Sequence, residues 1–310
     1  MFSEPESAPE GIDQLDLILN LRKEIPLIVD LHCHTTASDG ALAPAELVSR
    51  AVEKGVGLLA ITDHDTVKGF EEAQLSALKH CSDEHPIKLI PGIEISTRWD
   101  NKVDIHVVGL GFDPKDACLL ERLETQEHTR RERAEKIVQR LSKLGYGGAD
   151  DWLDEQGIVT PGRPHFANFL VQKGAVKDVA SAFKKYLAMG KPAYVATNWC
   201  SVEDSIQWIA DAGGVSVLAH PGKYKMTPTK LRRLAGCFAS AGGDALEVVS
   251  GLRHRDEVNR LAKLTEDLGL KASVGSDFHR PGEAWQELGK MSVLPQSCHT
   301  LWDHAGFLDG

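Results

Sequence analysis

Two histidines one residue apart are the first residues in this chain whose spacing could do chemistry. His32 and His34 flank Cys33, and the short apolar run at 27–29 leads into them through Asp30. In an extended segment, side chains at i and i+2 point to the same face, so the pair presents two imidazoles to one point in space. Asp39 follows after a small polar turn, and two nitrogen donors with a nearby carboxylate are what a divalent metal site requires. Taken alone, the motif also fits two surface histidines beside a loop aspartate.

Side chains of the same types occur at or near the ends of other apolar runs. The candidate ligands are His32, His34, Asp39, His64, Glu94, His106, His220, Asp277 and His279. Nine is too many for one ion, because divalent first-row metals take four to six donors each, so we expect two or three ions that share bridging groups. A lone histidine is more often a core residue, but this many at predicted strand ends indicates a metal centre. Imidazole and carboxylate without cysteine suit Mn, Fe or Zn and disfavour a structural zinc site.

Seven predicted strands would position these side chains. Apolar runs alternate with helical patterns along most of the chain, which predicts an α/β fold with a parallel (βα) arrangement closed as a barrel. In such barrels the chemistry sits at the C-terminal ends of the strands. The predicted strands are 27–32, 58–62, 88–95, 103–110, 215–219, 245–249 and 271–275.

A helical insertion is predicted to interrupt the barrel at 112–191. Residues 116–144 are highly charged with apolar residues at helical intervals, and two further helices are expected at 165–172 and 179–188. The basic block HTRRERAEK in the first helix is interpreted as a solvated face. The predicted domains are therefore an N-terminal extension at 1–26, a barrel formed by 27–111 and 192–295, the insertion as a substrate cap, and a tail at 296–310.

Composition limits the classes of function. With 310 residues, of which 42% are hydrophobic, the chain can bury a sizeable core. Its net charge of -10 argues against broad electrostatic coating of nucleic acid, although it allows a nucleotide held by a local basic site or by metals. Six scattered cysteines without a C-x-x-C spacing suggest neither a zinc knuckle nor a disulfide framework. No signal peptide or membrane-spanning run is predicted, and we expect a cytoplasmic protein with no membrane partner.

Five ordered motifs resemble those of the PHP (polymerase and histidinol phosphatase) superfamily of metal phosphoesterases. They are DLHCHTTASDG, AITDHD, GIEIS, LAHPG and GSDFH. Two insertion segments, TPGRPHFANFLVQKG and FKKYLAMGKPAYV, resemble one branch, the bacterial 3′,5′-nucleoside bisphosphate phosphatases, which are also described as 5′-to-3′ exoribonucleases. The resemblance covers residues 27–295 and implies a distorted seven-stranded barrel with a trinuclear metal centre at its mouth.

The resemblance also implies how the nine candidate ligands divide among three ions. One ion would take His32, His34, Glu94 and Asp277. A second would take Asp39, His64 and His279, and a third would take His106 and His220 with Glu94 as a bridge. Glu94, Asp39, His64 and Asp277 are therefore the expected catalytic residues, with Mn the first candidate for the metal and Fe or Zn as alternatives. A hydroxide bridging two ions would be available at neutral pH, because coordination lowers the pKa of water toward about 7.

The implied substrates are a nucleotide with two phosphates or a short 5′-phosphorylated RNA, and no protein partner is expected. A second phosphate needs its own anchor, and arginine offers bidentate geometry for it. Arg163 lies in a Gly-Arg-Pro-His turn that opens a predicted helix, which is a favourable anion position. The candidates are Arg163 first, then His165, Arg130 and Lys223, and each could instead be a surface cation. Glu247 and His254 are assigned supporting or structural roles.

Three alternatives belong to other classes of function. A metal-binding PHP interaction module of the polymerase-associated kind would need a polymerase body, for which this chain has no room. A histidinol phosphatase or another small-molecule phosphatase would share the metal centre but would give no reason for the GRPHFANFL segment. A purely structural protein would not place nine ligands at one barrel mouth.

Overall fold

The computed structural model describes residues 28–79, 86–100 and 102–303. The predicted extension at 1–26 lies outside the described residues, as does the end of the predicted tail. One sheet runs through seven strands in the order β1-β2-β3-β4-β6-β7-β8, and a short β5 pairs with β3. The strands are β1 (Ile28–Asp30), β2 (Val56–Ile61), β3 (Lys88–Trp99), β4 (Val103–Leu110), β5 (Cys200–Ser201), β6 (Val215–Leu218), β7 (Ala245–Ser250) and β8 (Lys271–Gly275).

The sheet closes where the ends of β1 and β8 meet. The backbone N–H of Leu31 donates to the carbonyl of Val274 at 3.1 Å, and that of His34 donates to Phe278 at 2.9 Å. Gly275 allows this approach, because a Cβ at that position would overlap the Cβ of His32. The predicted distorted seven-stranded barrel is thereby confirmed.

One strand runs against the predicted direction. β4 is antiparallel to both β3 and β6, whereas the other neighbouring pairs along the barrel are parallel. The parallel arrangement expected from the helix-joined strands does not extend to β4, because β3 and β4 are joined by a tight hairpin with no crossover helix. His106 therefore lies in the first half of its strand, opposite Ser96 of β3, and still faces the barrel mouth.

Helices cover the barrel and fill the insertion. They are α1 (Pro44–Glu53), α2 (Lys68–Lys79), α3 (Ala117–Lys143), α4 (Ala149–Glu155), α5 (Arg163–Gln172), α6 (Val179–Ala182), α7 (Val202–Asp211), α8 (Pro228–Ser240) and α9 (Arg255–Leu268). α1 shows how sequence makes such a helix: Pro44 starts it, and Leu47, Val48 and Ala51 form the buried stripe. His254, which the sequence left as structural, is the N-cap of α9 and accepts from the Asp256 N–H.

The insertion residues pack around a core of their own. α3 begins against the barrel core with Leu119 and Leu123, and its second half joins a separate cluster with α4 and α5. The fully buried Phe166 and Phe169 of α5 belong to this second cluster. Residues 113–192, all of which the structure describes, contain no strand. The domain boundaries themselves stay a prediction. Within the described part of the chain, no helix is long and apolar enough to cross a membrane.

Candidate active site

Glu94 lies at the centre of the converging side chains. Its Oε2 is 3.3 Å from His32 Nε2, 3.2 Å from His34 Nε2 and 3.2 Å from His64 Nδ1. All of these atoms come from the mouth of the barrel, where β1, β2 and β3 lie side by side. The carboxylate is 1% exposed, so it has no access to bulk water that would screen its charge.

The second oxygen of Glu94 faces a different pair of histidines. Oε1 is 2.9 Å from His106 Nδ1 and 2.8 Å from His220 Nε2. These two rings come from the neighbouring strands β4 and β6 and are 5.3 Å apart between centroids. Each carboxylate oxygen therefore faces its own set of imidazoles, which is the arrangement required of a carboxylate that bridges two ions.

Two aspartates complete the ligand cluster. Asp277 Oδ1 lies 3.6 Å from His32 Nε2 and 3.5 Å from His34 Nε2. Asp39 Oδ1 lies 3.4 Å from His279 Nε2, and its Oδ2 lies 3.8 Å from a ring nitrogen of His64. All nine ligand candidates predicted from the sequence are therefore brought together.

The spacing of the nitrogens around Glu94 Oε2 fits a shared metal, whereas His106 and His220 lie within hydrogen-bond distance of Oε1. Two ligand atoms at about 2.1 Å from one ion and at tetrahedral or octahedral angles lie about 3.0–3.4 Å apart. Several buried ring nitrogens have no hydrogen-bond partner among the described residues, including His32 Nε2 and both nitrogens of His34. Unpaired buried polar atoms cost free energy. A divalent ion would satisfy them, so the donor set fits the metal that the motifs imply.

The possible ligand groups overlap. Within them the donor atoms lie at most 4.8 Å apart, and the groups are His34, Asp39, His64 and His279; His32, His34 and Asp277; His32, Glu94 and His220; and His64, Glu94 and His106. These differ in part from the sets that the resemblance implies, because His106 groups with His64 and His220 with His32. Every candidate ligand occurs in at least one group, while the assignment to particular ions stays a prediction.

Electrostatics favour positive charge at the centre. Burial alone would raise the pKa of Glu94, but His106, His64 and His32 hold that pKa well below its usual range. Burial would lower the pKa of His32, but Glu247 and Glu94 outweigh it and raise that pKa to about 10. Glu94 and Glu247 thus stay anionic and stabilise a positive charge beside them. A bound divalent ion can supply that charge in place of a proton on the histidine ring.

Glu247 contacts two of the candidate ligands, His32 and His220, on the side away from the ligand cluster. One of its oxygens lies 3.1 Å from His32 Nδ1, and the other accepts the backbone N–H of His220. A hydrogen bond to the far ring nitrogen fixes the orientation and tautomer of a ligating histidine. His220 and Asp277 both have positive φ, at 30° and 54°, so the backbone holds strain where the ligands are presented.

Replacing Glu247 with glutamine should therefore weaken the site without removing a ligand. Partners of this kind contribute about 10- to 100-fold to metal affinity or activity, so we expect kcat/KM and metal content to fall within that range. Both can be measured against Glu266→Gln, a change of the same type on the exposed surface of α9. Unchanged metal content and activity would show that Glu247 does not orient His32.

A cavity of about 510 Å³ opens over the ligand cluster. Its lining combines ligands from the barrel with residues of the insertion, among them Arg163. The Arg163 side chain is 24% exposed, its guanidinium lies 5.9 Å over the Tyr194 ring, and its Nη2 is 3.7 Å from Asp104. The turn before it approaches the ligands closely, because a Cβ at Gly162 would be 3.6 Å from Asp39 Oδ2.

The other predicted anion-binding residues lie in different surroundings. Lys223 lines the cavity in an ion pair with Asp277, and burial lowers its pKa to about 8. Arg130 is buried in an ion pair with Asp65, so its positive charge is largely neutralised by that carboxylate. His165 is buried beside the cavity and accepts the Gly162 N–H at 2.9 Å through Nδ1.

Arg133 is a candidate that the sequence interpretation missed. It lines the cavity, is only 6% exposed, and stacks over the Trp199 ring at 4.8 Å. Its Nε has no hydrogen-bond partner in the described part of the chain. Treating the basic block as a solvated face was wrong for Arg130 and Arg133, because both side chains point inward from α3.

Known proteins with similar sequences connect this site to a chemistry. The model of the family described as the PHP domain matches residues 30–148. The chain is 41% identical over 278 residues to the 3′,5′-nucleoside bisphosphate phosphatase of Chromobacterium violaceum, covering 88% of this chain and 95% of the relative. The chain belongs to the PHP family. Like that relative, this PHP chain is a hydrolase of phosphoric esters.

Two further comparisons agree with this membership. The PHP chain is 45% identical over 283 residues to the 5′-3′ exoribonuclease Rnm of Escherichia coli, covering 89% of this chain and 93% of the relative. A solved structure of an amidohydrolase from Chromobacterium violaceum, with bound sulfate and no metal, superposes with a TM-score of 0.82 at 40% identity, covering 89% and 94%. The resemblance to PHP phosphoesterases is confirmed, and the clustered donors support a metal-dependent phosphoesterase that uses divalent ions.

Proposed function

We propose that this chain breaks the bond between phosphorus and the ribose 3′ oxygen of nucleotides that carry a 5′-phosphate. With a nucleoside 3′,5′-bisphosphate the products are inorganic phosphate and the 5′-nucleotide. With a 5′-phosphorylated RNA end they are the same nucleotide and a shorter RNA with a new 5′-phosphate. One bond cleavage thus accounts for both activities named for the relatives. The proposal includes a cytoplasmic location, where RNA ends and free nucleotides occur.

The observation that carries this proposal is a single cavity lined by two kinds of residue. The ligand cluster occupies one part of the lining. The insertion contributes three arginines to it, of which Arg130 is paired with Asp65, leaving Arg133 and Arg163. A simple phosphate monoesterase needs only the ligand cluster. Two further arginines in the same cavity support a second anion on the substrate, since arginine binds phosphate with bidentate geometry.

We further propose that two to three divalent ions bind the nine ligands, with Mn ahead of Fe and Zn. His32, His34, Glu94 and Asp277 would hold one ion, and Asp39, His64 and His279 a second. His106 and His220 would share Glu94 with the third. When bound, such ions neutralise phosphate oxygens and lower the pKa of coordinated water toward about 7.

The remaining residues would position the substrate. Arg133 and Arg163 would hold the 5′-phosphate, and Lys223 would contact the phosphate that is cleaved, since it lies beside the ligand Asp277. Glu94 and Glu247 would keep the histidine rings in orientation throughout turnover. Positioning of this kind accounts for much of the rate gain when the reacting groups are held in line.

A substrate panel tests the proposed function, with release of inorganic phosphate measured for the phosphate monoesters and release of the 5′-terminal nucleotide or nucleoside measured for the RNAs. The substrates are adenosine 3′,5′-bisphosphate, a short 5′-phosphorylated RNA, the same RNA without its 5′-phosphate, and histidinol phosphate. We expect kcat/KM to be highest for the first two, because only these carry a phosphate on the terminal 5′ oxygen of the nucleotide whose 3′ ester is cleaved. A preference for histidinol phosphate would support the alternative of a small-molecule phosphatase and would contradict the proposal.

A further inference from the structure

An exposed tryptophan directly precedes Gln286, a residue that lines the active-site cavity, and has no part in the mechanism above. Trp285 is 58% exposed, and its neighbour Leu252 is 40% exposed. The two are joined through the backbone, because the Leu252 N–H donates to the carbonyl of Trp285 at 2.8 Å. A tryptophan exposed next to a binding cavity offers a large, flat apolar face on which an aromatic ligand group can stack.

The segment that carries Trp285 is fixed against the ligand cluster. The adjacent Gln286 lines the cavity, and its Nε2 donates to the Asp277 carbonyl at 2.8 Å and to the Asp277 carboxylate at 3.2 Å. Gly251 has a φ of 68°, and a Cβ there would overlap the Trp285 carbonyl, so the two loops are in direct contact. Trp285 is thus held one residue from a hydrogen-bond partner of a candidate metal ligand.

This position differs from that of the 5′-phosphate anchors. Arg133 and Arg163 belong to the insertion, whereas Trp285 follows β8 at the barrel rim. In an RNA substrate, the 5′ nucleotide would lie between the insertion and the ligands, and the rest of the strand must leave over the remaining wall of the cavity. Arg280 also lines the cavity, where its Nε lies 3.5 Å from the Glu283 carboxylate.

We propose that Trp285 is the stacking platform for the nucleobase that follows the scissile phosphate in RNA, with Leu252 extending its apolar surface. Every base has a π-face, so such stacking is largely independent of sequence. A nucleoside 3′,5′-bisphosphate has no base at this position and gains nothing from it. This inference rests on the proposed function and makes Trp285 a determinant of specificity for RNA over free nucleotides.

The test compares Trp285→Ala and Trp285→Phe with the wild-type enzyme loaded with Mn. The substrates are a 5′-phosphorylated pentanucleotide and adenosine 3′,5′-bisphosphate. We expect Trp285→Ala to lower kcat/KM for the RNA by about tenfold or more, mainly through KM, and to leave the bisphosphate unaffected. Trp285→Phe should retain most of the RNA activity, because a phenyl ring can also stack. Leu75→Ala, at another exposed apolar residue on α2, is the control.

Different failures have different meanings. Equal losses of kcat/KM on both substrates would show that Trp285 supports the fold or the ligand cluster. Full activity of Trp285→Ala on the RNA would show that no base stacks on Trp285. Either result would overturn this inference and leave the proposed function standing. A wild-type enzyme that cleaves the bisphosphate but not the RNA would also overturn it. A wild-type enzyme that cleaves neither nucleotide substrate would overturn the proposed function, and the inference would fall with it.

Discussion

Replacing Glu94 with glutamine should abolish turnover while leaving the barrel folded. The two carboxylate oxygens face separate sets of histidines, at 3.2–3.3 Å on one side and 2.8–2.9 Å on the other. A neutral amide has the same shape, but it removes the negative charge and one of the two acceptor atoms. We expect a loss of at least about 10³-fold in kcat, since partners behind the ligands alone contribute 10- to 100-fold.

Metal content is the second measurement on this variant. Elemental analysis of active wild-type protein should give two to three transition-metal ions per chain, chelation should remove activity, and added Mn should restore it. Glu94→Gln should bind fewer ions, whereas Glu121→Gln on the exposed face of α3 should match the wild type in content, activity and melting temperature. Full metal content together with near-wild-type activity in Glu94→Gln would reject its bridging role.

The second large effect is expected from the arginine pair. Arg163→Ala should lose about 2–4 kcal/mol of transition-state binding for a nucleoside bisphosphate or a 5′-phosphorylated RNA, by analogy with truncation of a buried charge pair. Arg133→Met should lose a similar amount and keep most of the apolar packing on Trp199. Both variants should lower kcat/KM for an aryl phosphate only slightly, because that substrate reaches only the ligand cluster. The readout is the ratio of kcat/KM for the two substrates.

Neither arginine substitution should destabilise the fold. Arg133 is buried with an unpaired Nε, so methionine relieves a desolvation cost, and the melting temperature should not fall. Arg163 is partly exposed near Asp104, and its removal should change the melting temperature little. If activity on the aryl phosphate falls as far as activity on the bisphosphate, the arginines serve the ligand cluster or the fold instead, and the second anion site is rejected.

The barrel could be predicted because its signals are local. Each strand is a short apolar run, and the candidate ligands stand next to these runs in the chain, so strand positions and ligands are found together. The reversed direction of β4 was missed because the apolar pattern of a strand is the same whether it is parallel or antiparallel to its neighbour. Only the short connection between Trp99 and Val103 indicates an antiparallel pair. In the insertion, α4 was missed and the predicted helix at 179–188 passes from α6 into a π-helix at Phe183–Leu187.

The substrate pocket was harder to predict, because its residues look like surface residues. The buried stripe of α3 runs at helical intervals through Leu119, Leu123, Gln126, Arg130, Arg133, Ile137 and Leu141. The apolar members were visible in the sequence, but Arg130 and Arg133 lie in the basic block that was interpreted as a solvated face, and Gln126 was not singled out. Arg130 was nevertheless among the candidate anion-binding residues. Polar residues in phase with an apolar stripe are a usable signal for a buried polar site. Trp285 had no such signal, since its exposure depends on how two loops meet.

The most direct test of a two-phosphate site compares two substrates that differ in one group. Wild-type enzyme loaded with Mn is assayed for phosphate release from adenosine 3′,5′-bisphosphate and from adenosine 3′-monophosphate. Both present the same ester to the ligand cluster, and only the first has an anion for Arg133 and Arg163. We expect kcat/KM to favour the bisphosphate by about 10²-fold, in line with the loss expected from removing one anchor. Equal values for the two nucleotides would contradict a site built for two phosphates.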